Sequence, residues 1–197
     1  MFKKIILSFA SAALITSPLV AHKLIDPGPR EKIARGVFSA VPTSTWNRLQ
    51  QKEGKFQEVW TIDGDDLNRI IFFGGVPIGE PLLKETHKKR DPLPKVKENM
   101  LLPDIPILLE RTYRTKYGTA IMEIGQQKPA ELAGLPAIFF EYRYVDGEYE
   151  VEKNGEAYAA MHEGKLYLIA FEAPTLHFFE RDIHLFRELV GTVSIRD

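Results

Sequence analysis

Strand-like segments joined by tight turns constrain this chain more than any other feature of its sequence. Glu156–His162 and Lys165–Glu172 flank the dipeptide Glu163-Gly164, a spacing typical of a β-hairpin. Phe56–Ile62 alternates in the manner of a strand, and Leu67–Phe73 follows it after a polar turn, which predicts a second hairpin. The sequence lacks the regular alternation of strands and helices that a doubly wound parallel sheet requires. The pattern therefore favours an antiparallel sheet.

Two helices are predicted to pack on this sheet. The first begins at Asp104, a suitable N-cap, carries Pro106 in its first turn, and ends at Gly118. Its apolar residues form one stripe: Ile105, Leu108, Leu109, Tyr113 and Tyr117. The second helix is capped by Thr175, and its apolar residues also recur at helical spacing: Phe179, Ile183, Phe186 and Val190. The sequence therefore predicts an α+β fold, an antiparallel β-sheet with helices packed on it.

The segment between the helices is predicted to add strands to the sheet. A short strand is expected over Ala120–Ile124, and Lys128–Pro136 is expected to link it to an aromatic-rich strand, Ala137–Val145. Asp146-Gly147 indicates a hairpin turn directly after that strand.

Residues 1–21 have the layout of a secretory signal peptide. Lys3 and Lys4 precede the largely apolar run Ile5–Ile15, and small residues precede a cleavage point near His22. The apolar run is shorter than the roughly 20 residues that span a membrane, so no transmembrane segment is expected after cleavage. The chain contains 0 cysteines, which excludes a lipoprotein anchor. We expect a periplasmic or secreted protein.

The remainder is predicted to form one domain behind a linker. Residues 22–35 are polar and carry Pro27, Gly28 and Pro29, which indicates a flexible linker. Residues 36–197 are expected to form a single α+β domain with a Pro/Gly-rich loop region at 74–103. A long loop of this kind in a compact domain is usually functional or mobile.

The charge balance disfavours nucleic acid as a partner. Lys and Arg number 26 and Asp and Glu number 27, whereas phosphate-backbone binding needs a surplus of basic residues. Removal of Lys3 and Lys4 with the signal peptide makes the mature chain slightly more acidic.

No short motif for catalysis, metal binding or cofactor binding is complete in the sequence. A G-x-S-x-G elbow and an H-E-x-x-H helix are both absent, and there is no thiol. The calcium-like loop that begins at Asp63 has Asn68 where glycine is needed and Gly74 where glutamate is needed. Gly74–Gly79 holds three glycines without the lysine of a phosphate-binding loop. We therefore predict no catalytic residue, no metal site and no cofactor.

Two sets of residues are candidates for contacts with a ligand or partner. The basic residues Lys88, Lys89 and Arg90 lie at the centre of the loop region and could meet an acidic envelope protein or another envelope component. The second set is Glu141, Tyr142 and Arg143, in the aromatic-rich strand.

The function that these features favour is a non-catalytic binding or interaction module. The alternative is an enzyme or small-molecule carrier whose pocket is lined by sheet aromatics, with Glu141, Arg143 and Glu172 as its polar groups.

The last third of the chain resembles a known fold. The segment GKLYLIAFEAPTLHFFERDIHLFRELVGTVSI is similar to the C-terminal strand and helix of the PsbP-like fold, named for the extrinsic photosystem subunit. The segments WTIDGDDLNRIIFFGGVPIGEPL and GKLYLIAFEAPTLHFF resemble a family of uncharacterised exported proteins from alphaproteobacteria. The PsbP-like resemblance implies an α/β/α sandwich that is used mostly for binding. Because the long Pro-rich middle departs from the photosystem subunit, the role of that subunit is not carried over.

Overall fold

The chain forms strands and two helices over the residues that the structure describes. This computed structural model describes residues 23–85, 90–119, 121–145 and 150–196. Its elements in chain order are β1 (Lys23–Ile25), β2 (Arg30–Ile33), β3 (Phe38–Ala40), β4 (Trp46–Arg48), β5 (Gln57–Thr61), β6 (Arg69–Pro77), α1 (Asp104–Tyr117), β7 (Met122–Leu132), β8 (Leu135–Val145), β9 (Glu152–His162), β10 (Lys165–Pro174), α2 (Phe178–Val190) and β11 (Ser194–Ile195).

Most of the strands belong to one antiparallel sheet of eight strands. Its order is β1-β4-β5-β6-β10-β9-β8-β7, and a small sheet of three strands has the order β11-β3-β2. The predicted hairpins are confirmed: β5 pairs with β6, and β9 pairs with β10 across the Glu163-Gly164 turn. Glu163 and Gly164 have φ values of 47° and 69°, the left-handed pair that a tight hairpin turn requires.

Alternate residues of the central strands face two separate apolar clusters. In the first cluster, which we call the α1-side core, Ile71, Phe140 and Leu168 pack with Ile105 and Leu109 of α1. The second cluster, the α2-side core, combines sheet and α2 residues: Ile70, Phe72, Ile169, Phe171, Ile183 and Phe186. Successive side chains of a strand point to opposite faces of the sheet, so alternate residues of β6 and β10 belong to different clusters. The prediction of an antiparallel sheet with helices packed on it is confirmed.

The predicted link between two strands is itself part of a strand. β7 runs without interruption from Met122 to Leu132, and Pro129 lies opposite Ile138 of β8. Proline is accepted here because β7 is an edge strand, where one side of the backbone needs no hydrogen-bonded neighbour. A register shift between Ile124 and Gln127 accommodates the length of this strand.

The Pro/Gly-rich loop region begins later than the sequence predicted. Gly74 and Gly75 belong to β6, which continues to Pro77. They remain in the strand because β10 runs beside them, and the pairing register shifts between Leu166 and Leu168. Gly75 has φ of 66°, the left-handed conformation that favours glycine at such a bulge.

The ends of both helices differ in detail from the predicted caps. Asp104 is the first helical residue, and its carboxylate accepts a hydrogen bond from the Leu101 N–H at 2.9 Å. α2 begins after His177, and the Thr175 hydroxyl donates to the Glu152 carbonyl at 3.3 Å instead of capping the helix. The predicted stripes face the cores: most of their members are buried in both helices, and Tyr117 and Val190 are half-buried.

The predicted linker at 22–35 needs correction over its described residues. Lys23–Ile25 pairs with β4, and Arg30–Ile33 pairs with β3. Ile25 and Ile33 are buried in the α2-side core, and this burial holds both short strands in place. The predicted signal peptide at 1–21 and the Asp146-Gly147 turn lie outside the described residues, and the single domain over 36–197 stays a prediction.

Candidate functional site

A buried carboxylate accepts hydrogen bonds from three other elements of the fold. Glu172 of β10 is 1% exposed. Its Oε1 accepts hydrogen bonds from the hydroxyls of Tyr113 at 2.5 Å and Tyr142 at 2.6 Å. Its Oε2 accepts the Tyr144 hydroxyl and the Arg69 Nε–H, each at 2.9 Å. The group, which we call the tyrosine–glutamate cluster, links α1 and β8 to β6 and β10.

The electrostatics of the cluster keep Glu172 ionised. Burial alone would raise the pKa of Glu172, but the Arg69 guanidinium and the tyrosine hydroxyls hold the pKa below its ordinary value. Burial and the adjacent carboxylate raise the pKa values of Tyr113, Tyr142 and Tyr144 well above the ordinary value. The tyrosines are therefore neutral donors to a charged acceptor, an arrangement that strengthens each hydrogen bond.

The tyrosine–glutamate cluster is closed to ligands. All four donors and the carboxylate are buried, and both carboxylate oxygens are fully used within the protein. Gly155 of β9 makes room for this packing, because a Cβ atom there would overlap the Tyr142 ring. The arrangement suits a structural link between helix and sheet and leaves no open face for a reacting substrate.

The candidates Glu141 and Arg143 lie on the other side of the sheet. They line a cavity of about 400 Å³ together with Phe179 and Arg187 of α2, which we call the α2-side cavity. Arg143 forms an ion pair with Glu123 at 2.7 Å. Glu141 forms no ion pair with any residue that the structure describes.

The structure does not bring the predicted polar group of a pocket together. Glu172 does not line the α2-side cavity, and Tyr142 turns its hydroxyl to Glu172 on the α1 side. The reason is the alternation of β8, in which Glu141 and Arg143 occupy one face and Tyr142 the other. Tyr142 still lines the α2-side cavity beside Glu141 and Arg143, so Glu172 is the predicted polar group that this cavity lacks.

Beyond the basic loop residues in sequence, residues 94–100 form one wall of a groove beside α1. Lys88 and Lys89 fall outside the described residues. The Arg90 side chain is 87% exposed and pairs with Asp91 at 3.2 Å. Farther along the same segment, Leu93 and Val96 are buried in the α1-side core and hold the chain against the domain.

We call this groove, which lies between residues 94–100 and α1, the basic groove. It encloses about 440 Å³, and its apolar surface comes from Met100, Ile107 and Leu108. Ile107, in the first turn of α1, is 45% exposed. Its side chain therefore offers an apolar contact that the residues described by the structure leave uncovered.

Three cations surround this apolar surface. Lys95, Lys97 and Arg111 line the basic groove together with two carboxylates, Glu98 and Asp104. None of the three cations forms an ion pair with a residue that the structure describes. The Asp104 carboxylate already accepts a backbone hydrogen bond from within the chain. The balance of available charge in the groove is positive.

The sequence contained a signal for the tyrosine–glutamate cluster that motif searching missed. Arg69 begins one strongly apolar strand and Glu172 interrupts another, and a buried charge requires a partner. Two opposite charges in two such strands indicate a pair. The contribution of Tyr113 from a distant helix had no comparable signal.

Metal-ligand clusters and membrane-spanning helices are both absent from the described residues. No group of three or more His, Asp or Glu side chains in these ranges is arranged to hold a metal ion. None of the helices that the structure describes is long and apolar enough to cross a membrane.

Comparison with known proteins identifies the fold. No family model matches the chain, and no curated protein matches it. The solution structure of cyanobacterial PsbP (CyanoP) from Synechocystis is similar, with a TM-score of 0.53 and 12% identity over 94% of this chain and 98% of that chain. The Ran-binding protein Mog1p of Saccharomyces cerevisiae has a TM-score of 0.49 and 12% identity over 91% and 97%. LpqN of Mycobacterium tuberculosis, described as involved in cell envelope biogenesis, has a TM-score of 0.33 and 8% identity over 93% and 88%.

These comparisons place the chain in a class of fold. The likeness to CyanoP over nearly the full length of both chains confirms the distant resemblance to the PsbP-like fold. At 12% identity the likeness concerns the fold alone. The proposed kinship with exported alphaproteobacterial proteins stays a prediction.

Proposed function

We propose that this protein is an exported, periplasmic binding module that holds an acidic segment of an envelope protein in the basic groove. One observation carries the proposal: Lys95, Lys97 and Arg111 surround an exposed apolar helix residue, Ile107, and have no ion pair among the described residues. The architecture we propose for it is the α/β/α sandwich of PsbP-like proteins.

Charge complementarity defines the chemistry of the partner. An acidic side chain in the partner would gain counter-charges in the groove, and an apolar side chain beside it would cover Ile107. The basic residues Lys88, Lys89 and Arg90 precede the groove in sequence and would extend its positive field.

The location of the groups with the most strongly shifted pKa values agrees with a non-catalytic role. Perturbed pKa values cluster at active sites when the groups are open to substrate. In this protein they belong to the tyrosine–glutamate cluster, in which Glu172 and its donors are buried and engage one another. The hydrogen bonds of this cluster hold α1 on the sheet.

The groove is tested by charge reversal. The double variant Lys95→Glu/Lys97→Glu should lose an envelope partner that co-purifies with the wild-type protein. The control is Lys23→Glu/Lys128→Glu, which makes the same charge change at exposed residues of the two edge strands, β1 and β7. Equal recovery of the partner with both variants would contradict the proposal.

Export has a separate test. Mass spectrometry of the mature protein from the periplasmic fraction should find an N-terminus near His22. The pattern of Lys3, Lys4 and the following apolar run supports this expectation. A chain that retains Met1 and fractionates with the cytoplasm would contradict export without affecting the groove.

A second candidate function is small-molecule carriage in the α2-side cavity. The observation in its favour is that the Glu141 side chain lines a space of about 400 Å³ and has no ion-pair partner among the described residues. Cavities of this size hold small ligands. A thermal-shift screen should then find compounds that stabilise the wild type and fail to stabilise Glu141→Gln, and a screen without such compounds would remove this candidate.

A further inference from the structure

A third cavity lies away from both the basic groove and the α2-side cavity. It encloses about 360 Å³ between the turn after β2, the bulge of β6 and the start of β10. Phe56 and Tyr167, both buried, line it together with Gly74 and Gly75. We call this cavity the turn cavity.

The side chains at the mouth of the turn cavity are mostly cationic. Arg35, Lys165 and Arg196 line it, against the single carboxylate of Glu163. Arg196 is already engaged, because it pairs with Glu31 at 2.8 Å. Arg35 and Lys165 have no ion pair with any residue that the structure describes.

Arg35 is held in position for this role. Its guanidinium carbon lies 5.2 Å from the centre of the Phe56 ring, a cation–π contact that orients the charge. Lys165 follows the β9–β10 turn directly and is the first residue of β10. Two cations therefore reach the same cavity, one from the turn after β2 and one from the start of β10.

The backbone that presents Arg35 is strained. Ala34, Arg35 and Gly36 have φ values of 46°, 70° and 90°, and left-handed conformations are unfavourable for alanine and arginine. The buried Glu58 carboxylate fixes this turn, because it accepts the Ala34 N–H at 3.1 Å. Strained residues that the surrounding contacts hold in place cluster at ligand-binding sites.

The glycines of β6 complete the shape of the turn cavity. A Cβ atom at residue 74 would lie 2.7 Å from the Ala34 carbonyl oxygen, so only glycine lets the strained turn pack on the strand. At residue 75 a Cβ atom would lie 3.6 Å from the Lys165 side chain. β-Bulges are frequent next to binding sites because they redirect the chain locally.

From these observations we propose that the turn cavity binds a phosphate group. Arg35 supplies a planar pair of donors, and Lys165 supplies a compact charge, a combination that suits the several oxygens of a phosphate. The site differs from a phosphate-binding loop, because its cations come from side chains of separate elements. The phosphate can belong to a free phosphate ester or to a phospholipid headgroup.

Titration of the folded protein with inorganic phosphate and with glycerol phosphate tests the site. At constant ionic strength, the amide resonances of Gly36 and Gly75 should shift with saturation, and Lys165→Gln should weaken binding about tenfold. Lys95→Gln, which removes a lysine from the basic groove, should bind like the wild type. Equal affinity of Lys165→Gln and the wild type would overturn the proposal.

A second variant separates binding from folding. Arg35→Gly removes the cation and also relieves the left-handed φ of this residue. The unfolding midpoint should stay within about 2 °C of the wild type, because relief of strain offsets the greater freedom of glycine in the unfolded chain. Phosphate affinity should fall about tenfold. Unchanged affinity in this folded variant would overturn the proposal.

Two further arms distinguish the source and the chemistry of the anion. Vesicles of phosphatidylglycerol, compared with vesicles of phosphatidylcholine, report whether a headgroup is bound, and the free esters report a soluble ligand. Binding in either arm that depends on Lys165 supports the site. Failure in both arms, or binding of acetate as tight as that of phosphate, overturns it and leaves the basic groove untouched.

Discussion

At the scale of single residues, Glu172 decides how α1 is attached to the sheet. A carboxylate in the core is stable only when its lost hydration is replaced, and three tyrosines and Arg69 replace it here. Removing one partner of such a pair leaves a buried charge without compensation. The cost is larger than the value of the hydrogen bonds themselves.

We expect Glu172→Gln to lower the free energy of unfolding by about 3–5 kcal/mol, since the buried Arg69 would keep only its longer ion pair with the half-exposed Asp65, at 3.4 Å. Urea denaturation followed by circular dichroism measures this change. The matched control is Glu123→Gln, an exposed partner of Arg143, for which less than about 1 kcal/mol is expected. Similar effects of the two substitutions would show that the cluster has no special role in stability.

Gly155 supplies a steric prediction at the same scale. Gly155→Ala should lower the free energy of unfolding by about 1–3 kcal/mol, because the new methyl group would overlap the Tyr142 ring. Gly125→Ala is the control: its Cβ atom would lie 3.3 Å from the Glu141 Cβ at an exposed edge, where a small shift accommodates it. Unfolding curves for the two variants should therefore differ, and coincident curves would contradict the packing at Gly155.

At the scale of elements, local chemistry explains which parts of the fold the sequence could predict. The sequence predicted the β9–β10 hairpin because the dipeptide Glu163-Gly164 favours a tight turn without help from distant residues. β7 was predicted only in part, because Pro129 is acceptable solely at an edge, and edge position depends on the whole sheet. β1 and β2 were missed for the same reason: each is short and stable only through partners elsewhere in the chain.

The tyrosines on α1 and β8 give the molecule a defined response to alkali. Their pKa values are raised in the folded state, so the unfolded chain releases these protons first as the pH passes about 10. The stability they contribute is complete below pH ~10 and is lost above it, at about 1.4 kcal/mol per pH unit for each tyrosine.

Urea denaturation between pH 8 and pH 11.5 checks this expectation (roughly the window around the ordinary tyrosine pKa). The slope should be steep for the wild type and shallower for Tyr144→Phe, which keeps the ring and loses one titrating hydroxyl. Identical slopes for the two proteins would contradict the burial of that hydroxyl in the cluster.

At the scale of the whole molecule, sites form from residues that are distant in sequence. The tyrosine–glutamate cluster joins Arg69, Tyr113 and Glu172, and no local pattern connects these positions. The fold class followed from periodicity and turns, which are local. The positions of Glu141 and Tyr142 on opposite faces followed from strand alternation, but the helix that covers each face did not.

The same scale explains why the basic segment matters. Lys95 and Lys97 carry no motif of their own in the sequence, and the fold places them beside Ile107 and Arg111 of α1. An exposed apolar residue among cations that have no ion pair within the described part of the chain is a combination that single-residue reasoning does not reveal. The central claim is that this combination receives an acidic protein segment.

Site-specific photocrosslinking in the envelope tests that claim most directly. A photoreactive amino acid at Ile107, which is 45% exposed, is compared with one at Leu176, which is 86% exposed and lies beside α2. Ile107 should give one main adduct to an acidic peptide segment, and Lys95→Glu/Lys97→Glu should abolish it, whereas Leu176 should not give this adduct. The same adducts from both positions, or an Ile107 adduct that survives charge reversal, would contradict the account.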